Sequence, residues 1–271
     1  MEEGRTNDGV QEPRRIASAP SWSLPPKTLA LANDEVHVWR ASLTPKASRV
    51  QRFWLTLSAD ERERAGRFYF QQDRERFITG RGLLRAILGN YLGVEPTQLR
   101  FCYGPHGKPA LVSEPGLCFN LSHSEGLALY AVTRGREVGV DLEFLHPDFP
   151  YEQIAEHFFS RREISALLAL PPQLRSQGFF NCWTRKEAYI KAKGEGLTLR
   201  LDQFDVSLVP GEPATLLFAN GDRQELFRWS LQELTPAPGH AAALAVEGRD
   251  WRVMRWQWPD KAIVKEKRKL P

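Results

Sequence analysis

Two short segments hold the side chains best suited to chemistry. In Val138-Gly139-Val140-Asp141-Leu142-Glu143, strand alternation puts Val138, Val140 and Leu142 on one face and Asp141 and Glu143 on the other. Two carboxylates pointing the same way repel unless a cation lies between them, and oxygen-only ligands suit magnesium or manganese far better than zinc. An edge strand with a solvated acidic face has the same pattern, so the pair alone leaves both readings open. The second segment, Trp183 to Gly196, reads as a helix ending at glycine. Its Trp183, Glu187 and Lys191 recur every four residues, stack on one helix face and can present an acid and a cation to one ligand. Taken alone, Glu187 and Lys191 are also an ordinary surface pair.

Phosphate contacts are suggested in two further places. Phe119-Asn120-Leu121-Ser122-His123-Ser124 puts a hydroxyl and an imidazole near a strand end, and Gly107-Lys108-Pro109 puts a lysine point charge in a tight turn. A hydrolytic serine–histidine pair is excluded, because neighbours on a strand face opposite ways and no G-x-S-x-G elbow surrounds either serine. His123 taken alone is more often a hydrogen-bonded structural histidine than a ligand contact. No phosphate-binding glycine loop of the G-x-x-x-x-G-K-[ST] or G-x-G-x-x-G kind occurs. Cys102, Cys118 and Cys182 are too scattered for a disulfide framework or a zinc site.

The elements that must position these groups occur in an order that repeats. A strand at Val36 to Trp39 is followed by a helix opened by Ser58 and Glu61 in capping-box spacing, then by a longer helix stopped at Gly93. That longer helix carries Phe77, Gly80, Leu84, Ile87 and Tyr91 on one stripe, and strands follow near Leu117 to Leu121 and Leu127 to Val132. A second strand at Val138 to Leu142 leads to another capping box at Ser160 and Glu163, then to a helix bearing Phe179, Phe180, Trp183 and Ile190. Val36 to Val138, Ser58 to Ser160 and Phe77 to Phe179 are each 102 residues apart, the spacing of a duplicated α+β unit whose intervening cleft would suit a ligand. The expected organisation is a flexible Pro- and Ser-rich leader over residues 1–33, lobes at 34–135 and 136–258, and a basic tail over 259–271 that includes Lys265 and Lys269.

At 271 residues and 42% hydrophobic content the chain can fill a core of its own, and its net charge of +4 is too small to choose among anionic partners. The excess concentrates between Arg49 and Arg85, where nine arginines face five acids. That stretch suits an anionic ligand, although a pair of solvated helices with intrahelical ion pairs is the commoner use of such a pattern. The start of the chain does not read as a signal peptide, and no apolar run approaches the ~18 residues of a membrane span. A cytoplasmic protein is expected. The aromatics follow core periodicity rather than alternating with cations, which argues against a nucleic-acid partner.

Taken in order, Gly107-Lys108-Pro109, Phe119 to Ser124, Gly139 to Glu143 and Trp183 to Gly196 resemble the surfactin-synthetase-activating type of 4′-phosphopantetheinyl transferase, from about Val36 to Leu201. The resemblance implies a two-lobed pseudodimer that binds coenzyme A in its cleft and moves the phosphopantetheine arm to a serine of an apo acyl or peptidyl carrier protein. It implies that Asp141, Glu143 and Glu187 hold magnesium, with manganese an alternative. Glu187 would be the general base, and Lys191 would offset charge on the leaving phosphate. Arg64, Arg76, Lys108, Ser122 and His123 would meet the 3′-phosphate of coenzyme A. The chain departs from the pattern at Glu61 and Arg64, where a familiar member carries lysines, with Arg64 and Arg62 as compensating cations. A single-chain monomer is implied. The carrier is expected to dock on the lobe bearing Phe158, Phe159 and the following helix, where apolar groups stand beside cations; core packing of both phenylalanines is an equal alternative. A module that merely bound coenzyme A would tolerate loss of Glu187; all three carboxylates are present.

Overall fold

Ser58 and Ser160 each open a helix as their spacing predicts. Glu61 Oε2 accepts the Ser58 N–H at 2.9 Å, and Glu163 Oε2 accepts the Ser160 N–H at 3.0 Å. In the computed structural model, which describes residues 21–259, the chain runs β1 (Glu35–Ser42), α1 (Ala47–Thr56), α2 (Ala59–Gly66), α3 (Gln71–Leu92), β2 (Phe101–Tyr103), β3 (Pro109–Leu111), β4 (Leu117–Ser124) and β5 (Leu127–Arg134). It continues as β6 (Val138–Phe144), α4 (Tyr151–Phe158), α5 (Arg161–Ala169), α6 (Pro172–Lys193), β7 (Phe204–Val206), β8 (Leu216–Ala219), α7 (Arg223–Arg228), β9 (Trp229–Leu234), β10 (His240–Glu247) and β11 (Arg252–Gln257). The fold is mixed α+β. Both long helices stop at a glycine with positive φ, Gly93 at 67° and Gly194 at 71°, where a residue with a Cβ would be strained.

The main sheets are ordered β11-β1-β5-β4 and β6-β10-β9. Antiparallel pairing joins β1, β5 and β4, and likewise β6, β10 and β9. Strand alternation decides what each face buries. Val36 and Val38 of β1 pack with Val138, Val140 and Leu142 of β6 in a core between the sheets, while Trp39 and Ala41 join Leu83, Ile87 and Leu88 of α3 in a second core. A third core lies under α6, around Phe179, Phe180, Tyr189 and Ile190.

The capping acids reach further than their sequence spacing shows. Glu61 is buried in ion pairs with Arg81 at 2.6 Å and Arg85 at 2.7 Å, and Glu163 is buried against Lys186 at 2.8 Å. Each buried cation also donates to the backbone of the next loop: Arg85 to Pro96 O and Leu99 O, Lys186 to Leu201 O and Phe204 O. Pairing and hydrogen bonding together are what make a buried charge tolerable.

Two features differ from expectation for long-range reasons. β11, drawn from the segment expected to close the second lobe, lies parallel to β1, with Trp39 opposite Trp256. Residues 21–33 of the expected leader are anchored: Trp22 Nε1 donates to Thr235 O, Ser23 bridges Trp256, and Leu29 and Leu31 pack on the first core. The rest of that leader, and the tail after Pro259, lie outside the described residues. Among the described residues no helix is long and apolar enough to cross a membrane, and all three cysteines are free.

Candidate active site

Helix α6 and strand β6 meet with no side chain between them. A Cβ on Gly139 would lie 2.0 Å from Ala188 O and 2.4 Å from Ala192 N, so only glycine permits this approach. The contact puts Glu187 and Lys191 of α6 over Asp141 and Glu143 of β6. Asp141 is buried, and its Oδ1 accepts from Lys191 Nζ at 2.6 Å and from Ser122 Oγ at 2.9 Å. Its Oδ2 is buried with no hydrogen-bond partner among the described residues.

The electrostatics follow from crowding like charges out of water. Burial, and after it the charge of Asp141, pushes the Glu143 carboxyl up to about 7. The same two causes raise Glu187. For Lys191 burial acts downward, but the charge and hydrogen bond of Asp141, with Glu187 and Glu143 behind them, outweigh it, and the ammonium is held above its ordinary value. Three carboxylates thus share one ammonium. All their donors are hard oxygens, and one buried oxygen lacks a partner, which fits magnesium or manganese. Among the described residues no three acid, histidine or cysteine side chains stand close enough to hold a metal ion as they are.

The basic candidates divide. Lys108 lines a cavity of about 280 Å³ with Asn120, Glu187 and Lys191, and its Nζ is held by Glu137 at 2.7 Å and Ala192 O at 2.8 Å. The glycines after α6 make room for that turn: a Cβ on Gly196 would meet the His106 side chain at 2.9 Å. His123 is held below its ordinary value by partial desolvation first and Lys191 next, with Arg76 adding to the effect. Arg76 Nε is buried without a hydrogen-bond partner among the described residues. Arg64 is exposed on α2, its guanidinium 5.4 Å from the ring centre of Phe77. Among the described contacts, none ties Arg64 to the carboxylates.

Glu61 is unavailable for any ligand because Arg81 and Arg85 hold it inside. Arg62, expected with Arg64 to compensate, stacks over Trp54 and donates to Trp54 O and Leu55 O. The two phenylalanines named for docking part company: Phe158 is 46% exposed against Trp183, whereas Phe159 is core at 4%. Sequence reasoning passed over Asn120, Ser124 and Gly139. Their signal was the alternation of Asn120, Ser122 and Ser124 and the small residue two before Asp141.

Comparison with known proteins shows the family. Residues 137–246 match the family model of the 4′-phosphopantetheinyl transferase superfamily, and residues 41–134 match that of the 4′-phosphopantetheinyl transferase N-terminal region. The chain is 46% identical to 4′-phosphopantetheinyl transferase HetI of Nostoc sp. strain PCC 7120 over 88% of this chain and 98% of that protein. It is 34% identical to 4′-phosphopantetheinyl transferase Sfp of Bacillus subtilis strain 168 over 58% of this chain and 69% of that one. A solved holo-[acyl-carrier-protein] synthase from Thermotoga maritima aligns at 22% identity and a TM-score of 0.33 over 42% of this chain and 63% of that chain, too slight a likeness to build on. The protein is an enzyme of the transferase class. It belongs to the 4′-phosphopantetheinyl transferase superfamily, of the type that includes Sfp.

Proposed function

We propose that this enzyme transfers the 4′-phosphopantetheine arm of coenzyme A to a serine of an apo acyl or peptidyl carrier protein, releasing adenosine 3′,5′-bisphosphate. The observation that carries the reading is the bare, buried Oδ2 of Asp141, whose Oδ1 is held by Lys191, beside a cavity that Lys191, Glu187 and Lys108 line. Asp141, Glu143 and Glu187 are the residues that would hold magnesium, or manganese in its place. Bound there, the dication would neutralise the pyrophosphate and make its phosphorus a better electrophile.

The chain's own residues supply the rest. The carrier serine oxygen bonds to the phosphorus next to the pantetheine arm, and the bond from that phosphorus to the oxygen shared with the second phosphate breaks. The electron pair leaves with the adenosine bisphosphate. Glu187 takes the serine proton; its raised pKa moves it toward the working pH, as a general base requires. Lys191 offsets charge on the departing phosphate. Arg76, Lys108 and His123 meet the 3′-phosphate, with Arg64 at the margin. An apolar cavity of about 360 Å³ that begins at Glu143 and is walled by Phe149, Phe158 and Trp183 suits the pantetheine arm. The carrier docks beside exposed Phe158.

The matched element order and sheet pairing support a pseudodimer, with lobes at 34–135 and 136–258, β11 returning to the first sheet, and the site in the cleft between them. A cytoplasmic monomer completes the proposal. Incubation with apo carrier, coenzyme A and magnesium is expected to add one phosphopantetheine by mass spectrometry, and Glu187→Gln to abolish the addition while leaving the circular dichroism unchanged. No addition across several carrier types, with the protein folded, would reject the proposal.

A further inference from the structure

Strands β4 and β6 lie side by side, each at the edge of its own sheet, and no backbone ladder joins them. An edge strand leaves N–H groups without partners. Here side chains of β4 supply the partners. Asn120 Oδ1 accepts the Val140 N–H at 2.9 Å, and Ser124 Oγ accepts the Phe144 N–H at 3.0 Å. Between them Ser122 Oγ donates to Asp141 Oδ1 at 2.9 Å and accepts from Lys191 Nζ at 3.2 Å. The three residues alternate, so they share one face of β4, and His123 lies on the other.

A serine hydroxyl has a single hydrogen to give. In Ser122, itself 8% exposed, that hydrogen is committed to Asp141, and one of the two oxygen lone pairs to Lys191. An ionised phosphate only accepts hydrogen bonds, so Ser122 can serve the phosphate only by releasing Asp141. We infer that Ser122 is a positioning residue for Asp141: it holds Oδ1 so that Oδ2 stays free for the cation, and it is not a contact of the coenzyme A phosphate. The inference rests on the metal reading proposed above.

The test is a Mn2+ titration followed by electron paramagnetic resonance in the presence of 3′-dephospho-coenzyme A, which keeps the pyrophosphate but lacks the phosphate that Ser122 would otherwise touch. Ser122→Ala is expected to weaken Mn2+ binding about tenfold, the usual effect of removing a group that orients a metal ligand, and Ser122→Thr to stay within about twofold because the hydroxyl remains. Should the alanine variant fail to fold, Ser122→Cys replaces it, with Mn2+ affinity expected below that of Ser122→Thr because a thiol is a weak donor. Unchanged Mn2+ affinity in the folded variants, together with a raised KM for coenzyme A but not for 3′-dephospho-coenzyme A, would overturn the inference and make Ser122 a phosphate ligand. A wild-type protein that binds no Mn2+ would instead remove the metal reading, and this inference with it.

Discussion

Replacing Glu143 by glutamine should make the metal-free protein more stable and the enzyme worse. The carboxyl is carried from an ordinary value of 4.5 to about 7, mainly by burial and next by Asp141. A shift of that size corresponds to about 3 kcal/mol of unfavourable interaction in the ionised form. Below pH 4.5 the group is protonated whether the chain is folded or not, and its contribution to stability is fully present. As pH rises through 7 the native carboxyl must ionise in its crowded site, while the unfolded one ionised long before, so that contribution is lost. Melting curves in EDTA at pH 5 and pH 8.5 should show the wild type losing stability relative to Glu143→Gln. At pH 8.5 the variant should be favoured by up to about 3 kcal/mol, or roughly 6–10 °C in Tm. Saturating magnesium should reverse the order, raising the wild type and leaving the variant nearly unmoved. Parallel melting of the two proteins across that pH range, or a variant less stable than the wild type at pH 8.5, would refute a buried, charge-crowded Glu143.

Three further outcomes follow from the geometry. Lys186→Met leaves Glu163 as an uncompensated buried carboxylate and should cost about 3–5 kcal/mol in urea denaturation, with Glu163→Gln added to Lys186→Met restoring part of it; a midpoint like the wild type's would show that the pair is not needed. Gly139→Ala forces a methyl into Ala188 O and should lower Tm sharply, and any folded fraction should have lost transferase activity as well; wild-type melting and rate would contradict the close approach. Arg76→Ala should reduce the preference for coenzyme A over 3′-dephospho-coenzyme A by about tenfold or more, measured as the ratio of KM values, since the proposed charge-assisted phosphate contact would be lost; an unchanged ratio would remove Arg76 from the proposed phosphate site.

What could be read in advance was whatever local spacing encodes. Capping boxes at Ser58 and Ser160 and the stop at Gly93 stand where expected, and alternation in β6 correctly put Asp141 and Glu143 on one face. The pairing of β11 with β1 was invisible because it joins residues more than 200 positions apart, such as Trp39 and Trp256. The same limit hid the second duty of the capping acids. Glu61 and Glu163 look complete as caps, and nothing local shows that Arg85 and Lys186 return to them from the next long helix. Ser122 is the instructive case for the site: its motif suggested an anion contact, but its one hydrogen points to Asp141 across a seam between sheets. Phe158 and Phe159 are adjacent and chemically identical, and only the packing of Phe159 on Phe179 separates surface from interior.

The bare contact at Gly139 sets the tolerance of the proposed catalytic assembly. With side chains between a helix and a strand, small displacements are absorbed by rotamer changes; backbone resting on backbone has no such cushion. Glu187 and Lys191 are therefore indexed to Asp141 and Glu143 much as two machined parts are indexed by a shared flat. Remodelling the distant cores should leave that alignment in place, whereas a single added carbon at the flat would throw every charge out of true.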